Sequence, residues 1–245
     1  MKKVAAIIEA RMSSSRLPGK VLKKIGNKEC LLHTVHRLRR VKKISDIIVA
    51  TTVNSNDDVL VELCKKNNIS FFRGSEENVY ERVLDAAIKY KVDIIVEITG
   101  DSIFIDSNII QESLDIYLNG DYDFVANCVK KPMYIPGFDA RVFSTFTLAS
   151  IKNKIYDQED LEHVSSFFWK NSKLFKIFHV KPPADLSSDS IFLGLDTPED
   201  LKLLKKIYKN LSHNDSYFDA YQIIEFLKKN LSLINYNSKT IRNKV

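Results

Sequence analysis

Apolar positions along this chain follow two rhythms: short unbroken runs, and stretches with apolar residues three and four apart. Val4 to Ile8 is an unbroken run closed by a polar stretch. A strand buried on both faces is therefore predicted over 3–8, with a loop over 9–20. Similar runs predict strands over 46–51, 70–72, 93–98, 124–127 and 192–195. Helical spacing predicts a helix over 31–41, with Leu31, Val35 and Leu38 inward and Arg37, Arg39 and Arg40 on the other side. Helices are also expected over 57–67, with Val59, Leu60 and Leu63 inward, and over 76–89 and 107–118. Thr197 has the signature of a helix N-cap, with Pro198 in the first helical position and Asp200 three residues after the cap. That helix is expected to end near Tyr208.

Strands alternating with helices at this spacing point to an α/β fold with a mainly parallel, doubly wound sheet. Ligands in such sheets bind beyond the carboxyl ends of the strands, which here selects the loops 9–20, 51–56, 73–78 and 99–106. Residues 130–181 break the rhythm, with Pro132, Pro136, Gly137 and an aromatic-rich helix around Phe167, Phe168 and Trp169. They are expected to form an insertion or arm that covers the site and makes a dimer contact. The polar tail after Asn230 is expected to fray. No repeat is present, and residues 1–245 are expected to form one domain.

Composition narrows the class. With 44% hydrophobic and 28% charged residues the chain reads as a folded, soluble protein. No apolar run approaches a membrane span. A strand pattern within three residues of the start leaves no room for a signal peptide, so the cytoplasm is the expected compartment. The net charge of +6 comes mostly from lysines scattered along the chain, which suits a soluble surface better than a nucleic-acid partner. Cys30, Cys64 and Cys128 are far apart and lack metal-binding spacing, so they are expected to be reduced and mostly buried. His33 and His36 read as helix packing or a solvated face rather than as metal ligands.

The candidate chemistry concentrates in the loop 10–20, ARMSSSRLPGK, between the first strand and a helix. Arg11, Arg16, Lys20 and three serines supply the cations and hydroxyl donors that a triphosphate requires. Both the GxxxxGK[ST] and the GxGxxG patterns are absent. Nine arginines stand against twenty-eight lysines, and Arg11, Arg16, Arg73 and Arg82 fall in or just after the predicted site loops. Asp101, in Thr99-Gly100-Asp101 at the end of a buried strand, reads either as a carboxylate holding a divalent cation or as an Asx turn. Asp196, in Asp196-Thr-Pro-Glu-Asp200, reads either as a second metal carboxylate or as part of a helix start; with Thr197 capping, both can hold.

Together these segments resemble the SpsF-type cytidylyltransferases of polysaccharide biosynthesis. The resemblance is carried by IIEARMSSSRLPGK over 7–20, ATT over 50–52, FRGSE over 72–76, ITGD over 98–101, EHV over 162–164 and DTPED over 196–200. It spans roughly residues 3–208. The resemblance implies a Rossmann-like nucleotidyltransferase fold of GT-A type, a homodimer formed through an inserted arm, and transfer of CMP from CTP to a sugar acid or other anionic acceptor. It implies a nucleotide site of Ala10, Arg11, Ser13, Arg16, Lys20, Thr52, Arg73, Ser75, Asn78 and Thr99. Arg11, Arg16 and Lys20 would hold the triphosphate, with Arg73, Ser75 and Asn78 near the base and ribose. Arg11, Lys20 and Asp101 would form the catalytic group, Asp101 and Asp196 would bind Mg²⁺, and Asp139 would face the acceptor. Glu9 and Glu97 depart from the family pattern, which tends to Gln and Arg there. Arg141 stands where the family tends to carry an acid. As an added cation near Asp139, it points to an anionic acceptor.

Two other readings are open at this stage. A GT-A-type glycosyltransferase needs an Asp-x-Asp metal motif, and Asp121-Tyr-Asp123 matches, although it precedes a strand rather than ending one. A non-catalytic nucleotide binder would have no use for two spaced acids on strand ends.

Overall fold

In the computed structural model, residues 2–213 and 217–237 are described. Seven strands form one sheet: β1 (Val4–Glu9), β4 (Asp46–Thr52), β5 (Ser70–Gly74), β6 (Ile94–Thr99), β7 (Phe124–Ala126), β8 (Arg141–Ser144) and β9 (Ile177–His179), with β2 (Lys24–Ile25) and β3 (Lys28–Glu29) making a small separate hairpin. The sheet order is β5-β4-β1-β6-β8-β7-β9. Neighbours pair in parallel except at β8, which runs against both β6 and β7.

Both sheet faces are covered, which explains the unbroken apolar runs. Val4, Ala6 and Ile8 join one core cluster while Ala5 and Ile7 join the other. The first face packs α1 (Cys30–Leu38), α2 (Asp58–Lys66), α4 (Ser107–Asn119), α8 (Pro198–Leu211) and α9 (Ala220–Lys229). The second packs α3 (Val79–Lys89), α5 (Thr145–Ser150), α6 (Gln158–Glu162) and α7 (Ser166–Lys170).

Several expectations change. Residues 130–181 are woven into the sheet: β8 sits between β6 and β7, β9 forms an edge, and Phe143 and Phe168 are fully buried. Residues 192–195 are not a strand, because their amides bond singly, Leu193 to the Pro136 carbonyl and Leu195 to the Asp101 carbonyl. Arg37 is buried inside α1's packing face, where Nη1 donates to the carbonyls of Ile105 (3.1 Å) and Phe218 (3.0 Å) beneath an aromatic cage. In α2 the inward residues are Leu60, Val61 and Cys64, and Val59 is exposed. Past Asn230, Leu231–Tyr236 form a 3-10 helix and Asn237 is buried, donating to Asp200 Oδ1 at 2.7 Å; residues 238–245 lie outside the described residues.

The ends of β1, β4, β5 and β6 lie along one edge. Antiparallel β8 starts at that edge, so Arg141 pairs in register with Glu97. Gly100 lets the chain leave β6 closely past β1: a Cβ there would stand 2.4 Å from the Glu9 carbonyl oxygen.

Candidate active site

The loop 10–20 is anchored at three points before any ligand is considered. The Ala10 amide donates to the Ala50 carbonyl at 3.2 Å, and the Gly19 amide to the Met12 carbonyl at 2.9 Å. The third anchor is Asp57, 2% exposed, which was not among the expected site residues. Its Oδ1 accepts from the Met12 amide at 2.8 Å, and its Oδ2 accepts from Thr51 Oγ1 (2.8 Å), Thr52 N (3.0 Å) and Thr52 Oγ1 (2.6 Å). Burial works to raise this carboxyl, but the bonds from Thr52, Met12 and Thr51 outweigh it and hold it below the usual aspartate range. The only hint in sequence is a carboxylate opening a helix, which reads as a cap.

Gly19, at φ 66°, turns the chain into a short 3-10 helix that begins with Lys20. Lys20 Nζ then lies 3.2 Å from Asp101 Oδ2 and 2.8 Å from Asp196 Oδ1, while Arg16 Nη2 lies 3.0 Å from Asp196 Oδ2. Two carboxylates, the farther 176 positions away in sequence, thus meet at one ammonium group, with Arg16 on the other oxygen of Asp196. Burial pulls the Lys20 ammonium down, yet Asp101 and Asp196 outweigh it and raise it; burial likewise opposes the Asp101 carboxylate, but Lys20 and the Thr99 hydroxyl keep it low. Asp196 is held in place by its neighbours. Asp200 Oδ2 accepts from the amides of Asp196 (3.0 Å) and Thr197 (2.8 Å), and Thr197 caps α8 in a capping box. The helix-start reading of that motif holds, with Thr197 as the cap, and Asp196 is left free of the cap to pair with Lys20.

The remaining expected nucleotide residues form a second group along β5 and α3. Asn78 caps α3 through the Glu81 amide (2.8 Å), and Ser75 Oγ accepts from the Asn78 amide at 3.0 Å. Arg73 engages the 52–58 turn, through Nε to Thr52 O (2.9 Å), Nη1 to Asp58 (2.6 Å) and Nη2 to Asn54 O (2.8 Å). Thr52 has its hydroxyl on Asp57. Arg11 bridges the groups, donating to the Glu76 carbonyl (3.1 Å) and to Glu162 (2.9 Å), and Ser13 hydrogen-bonds the Glu76 carboxylate. Glu76 and Glu162 were unexpected as partners of the loop, although both lie in the quoted motifs.

Asp139 and Arg141 belong to a third group. Arg141 Nη1 is 3.7 Å from Glu97 Oε1. Burial works against its charge, but Cys128, Glu97 and Asp139 together raise its basicity. Arg141 is therefore a compensated cation, not the spare one expected from sequence.

Other sequence candidates fall away from the site. Asp121 is exposed and paired with Lys176, and Asp123 accepts from the Lys176 amide at 2.8 Å, both at the start of β7 and so at the opposite end of the sheet. Cys30 and Cys64 are buried and Cys128 half-buried; burial pushes the Cys128 thiol up to about 12. His33 is buried against the Ile25 carbonyl at 2.8 Å. Among the described residues no helix is long and apolar enough to cross a membrane.

Residues 5–210 match the model of the family described as Cytidylyltransferase. The chain is 30% identical to the spore coat polysaccharide biosynthesis protein SpsF of Bacillus subtilis, with 94% of this chain and 96% of SpsF covered. It is 36% identical to the uncharacterized protein MJ1063 of Methanocaldococcus jannaschii, over 96% of this chain and 95% of that one. Its fold is similar to that of a cytidylyltransferase from Leptospira borgpetersenii, with a TM-score of 0.88, 33% identity, and coverage of 99% of this chain and 100% of that one. With that match lying over the loop 10–20, Asp101 and Asp196, the chain belongs to the cytidylyltransferase family, of the SpsF type, and is a CTP-dependent nucleotidyltransferase.

Proposed function

We propose that this enzyme transfers CMP from CTP to a sugar acid or other small anionic acceptor in surface glycan biosynthesis, in the cytoplasm and as a homodimer. The observation that carries the reading is the convergence of Lys20 and Arg16 on Asp101 and Asp196 at the carboxyl edge of the sheet. In the reaction an acceptor hydroxyl oxygen forms a bond to the α-phosphorus of CTP. The bond from that phosphorus to the bridging oxygen breaks, its electron pair leaves with pyrophosphate, and the hydroxyl proton passes to solvent. Lys20, Arg16 and Arg11 exchange their present carboxylate partners for phosphate oxygens and stabilise the charge that builds on the leaving group. Asp57 fixes the loop that carries them.

Mg²⁺ fits the donor set. Asp101 and Asp196 would be its hard oxygen ligands, since they flank a point that a cationic group, the Lys20 ammonium, reaches. Among the described residues no three acidic, His or Cys side chains form a metal site, which suits an ion that takes its other ligands from phosphates and water. When bound, it would add charge neutralisation on the triphosphate. The second group, from Thr52 to Asn78, would then take the base and ribose.

The test is pyrophosphate release with Mg²⁺, crossing the four nucleoside triphosphates with acidic sugars and sugar phosphates. Release with CTP, lost in Asp101→Asn, is the expected result. Transfer from a nucleotide sugar without release from any triphosphate would overturn the reading.

A further inference from the structure

A second charged layer lies at the same end of the sheet, and triphosphate binding leaves it unused. Ile7, Glu97 and Arg141 stand side by side in one row across β1, β6 and β8, and Glu9 ends β1 one row further on. The row beneath is Ile95, Phe143 and Phe124, all fully buried. Glu97 is 3% exposed, and its Oε2 has no hydrogen-bond partner; neither has Oε1 of Glu9, which is likewise shielded from solvent. From α3, Arg82 is buried against them with Nη1 turned to the Ser75 carbonyl.

Charge in this layer does not balance. Glu9, Glu97 and Asp139 share Arg141, and Arg82 acts on Glu9 alone; two shielded carboxylate oxygens lack a donor, against one buried donor, Arg82 Nε, that lacks an acceptor. A buried carboxylate without a full set of donors is costly. Burial first, and then repulsion from Glu97, raises the Glu9 carboxyl well above its ordinary value; burial raises Glu97 and Asp139 as well, with Arg141 only partly offsetting it. A retained proton is what such a cluster takes up when no cation is at hand. A primary ammonium suits it: it brings one charge and three N–H donors without demanding a fixed coordination geometry.

We propose that the acceptor carries a protonated primary amine, bound by Glu9, Glu97 and Asp139 next to Asp101. This rests on the cytidylyl-transfer reading and deepens it. The acceptor becomes zwitterionic, with its anionic part toward Arg16 and Lys20 and its ammonium on the carboxylate layer. Glu9 pairs in register with Thr99 beside the Gly100 turn that leads to Asp101, so the amine binds at the same edge of the sheet as the phosphates.

The test uses the full chain with CTP, Mg²⁺ and two acceptors that share every hydroxyl nucleophile but the one an amine replaces at C2: glucosamine 6-phosphate against glucose 6-phosphate. Because a site built for a charged donor rejects the analogue lacking it, kcat/KM should favour the amine by roughly ten- to a hundredfold. The preference should shrink in Glu97→Gln and in Glu9→Gln. Equal or reversed preference overturns the proposal. A second measurement needs no turnover: ethanolamine hydrochloride should raise the unfolding temperature above that in sodium chloride of equal ionic strength, and Glu9→Gln should abolish the difference. No difference between the salts overturns the proposal even if CTP is turned over. Binding of Mg²⁺ and CTP, measured in parallel, reports on the transfer reading by itself.

Discussion

Asp57→Asn is the sharpest probe of how the nucleotide loop is held. The asparagine has one acceptor oxygen where the carboxylate has two. Placed toward Thr51 and Thr52 it preserves the three bonds made to Oδ2, but the amide nitrogen then opposes the Met12 N–H now bonded at 2.8 Å. The opposite flip sacrifices three bonds to save one. The variant therefore loses at least one bond to a charged acceptor and leaves a donor unpaired, a cost of about 2 kcal/mol. For a chain of this size that is an unfolding midpoint lower by about 4–8 °C. Met12 lies between Arg11 and Arg16, so the loop loses register and kcat/KM for CTP should fall by up to about thirtyfold, mostly through KM. The sign of the pH dependence follows from the depressed carboxyl. Its stabilisation is fully present above the ordinary value of 3.8 and is lost as pH falls through the lower folded-state value, so the stability gap to Asp57→Asn should close in acid. Steady-state kinetics with thermal melts across pH checks all three points. A variant with wild-type kcat/KM and an unshifted midpoint refutes the anchoring role.

Two further perturbations bear on the charged groups. In Lys20→Met, Asp101 and Asp196 face each other without their shared ammonium; Mn²⁺ binding without nucleotide, read by electron paramagnetic resonance, should tighten about tenfold while kcat/KM falls by about a thousandfold. Arg141→Ala leaves Glu97 buried and unpaired and should cost about 3 kcal/mol in denaturant unfolding, whereas the exchange Glu97→Arg with Arg141→Glu should recover most of it; equal loss in both proteins contradicts the pairing.

Much of the architecture was legible in sequence because runs such as Val4 to Ile8 are apolar on both faces, a pattern that a central parallel strand imposes. The loop 10–20, Asp101 and Asp196 were legible for a related reason: each follows a buried element, and the fold delivers those ends to one edge. The rest depends on partners distant in the chain. Arg37 looked solvated because its acceptors, Ile105 and Phe218, are 68 and 181 positions away. β8 is short and follows Pro132 and Pro136, and its place between β6 and β7 is fixed by pairing that no local period announces. The apolar run 192–195 misled in the other direction, since its buried side chains belong to a loop whose amides are satisfied one at a time. Arg141 was read as an isolated cation because Glu97 lies on another strand, 3.7 Å away only after folding.

In the proposed function, Lys20, Asp101 and Asp196 mark the position of CTP and its metal ion. Calorimetric titration of CTP into the wild type and Asp101→Asn, with and without Mg²⁺, tests it most directly. Mg²⁺ should strengthen CTP binding to the wild type by at least about tenfold, about 1.4 kcal/mol, and Asp101→Asn should remove this gain. Equal CTP affinity in all four titrations would contradict it.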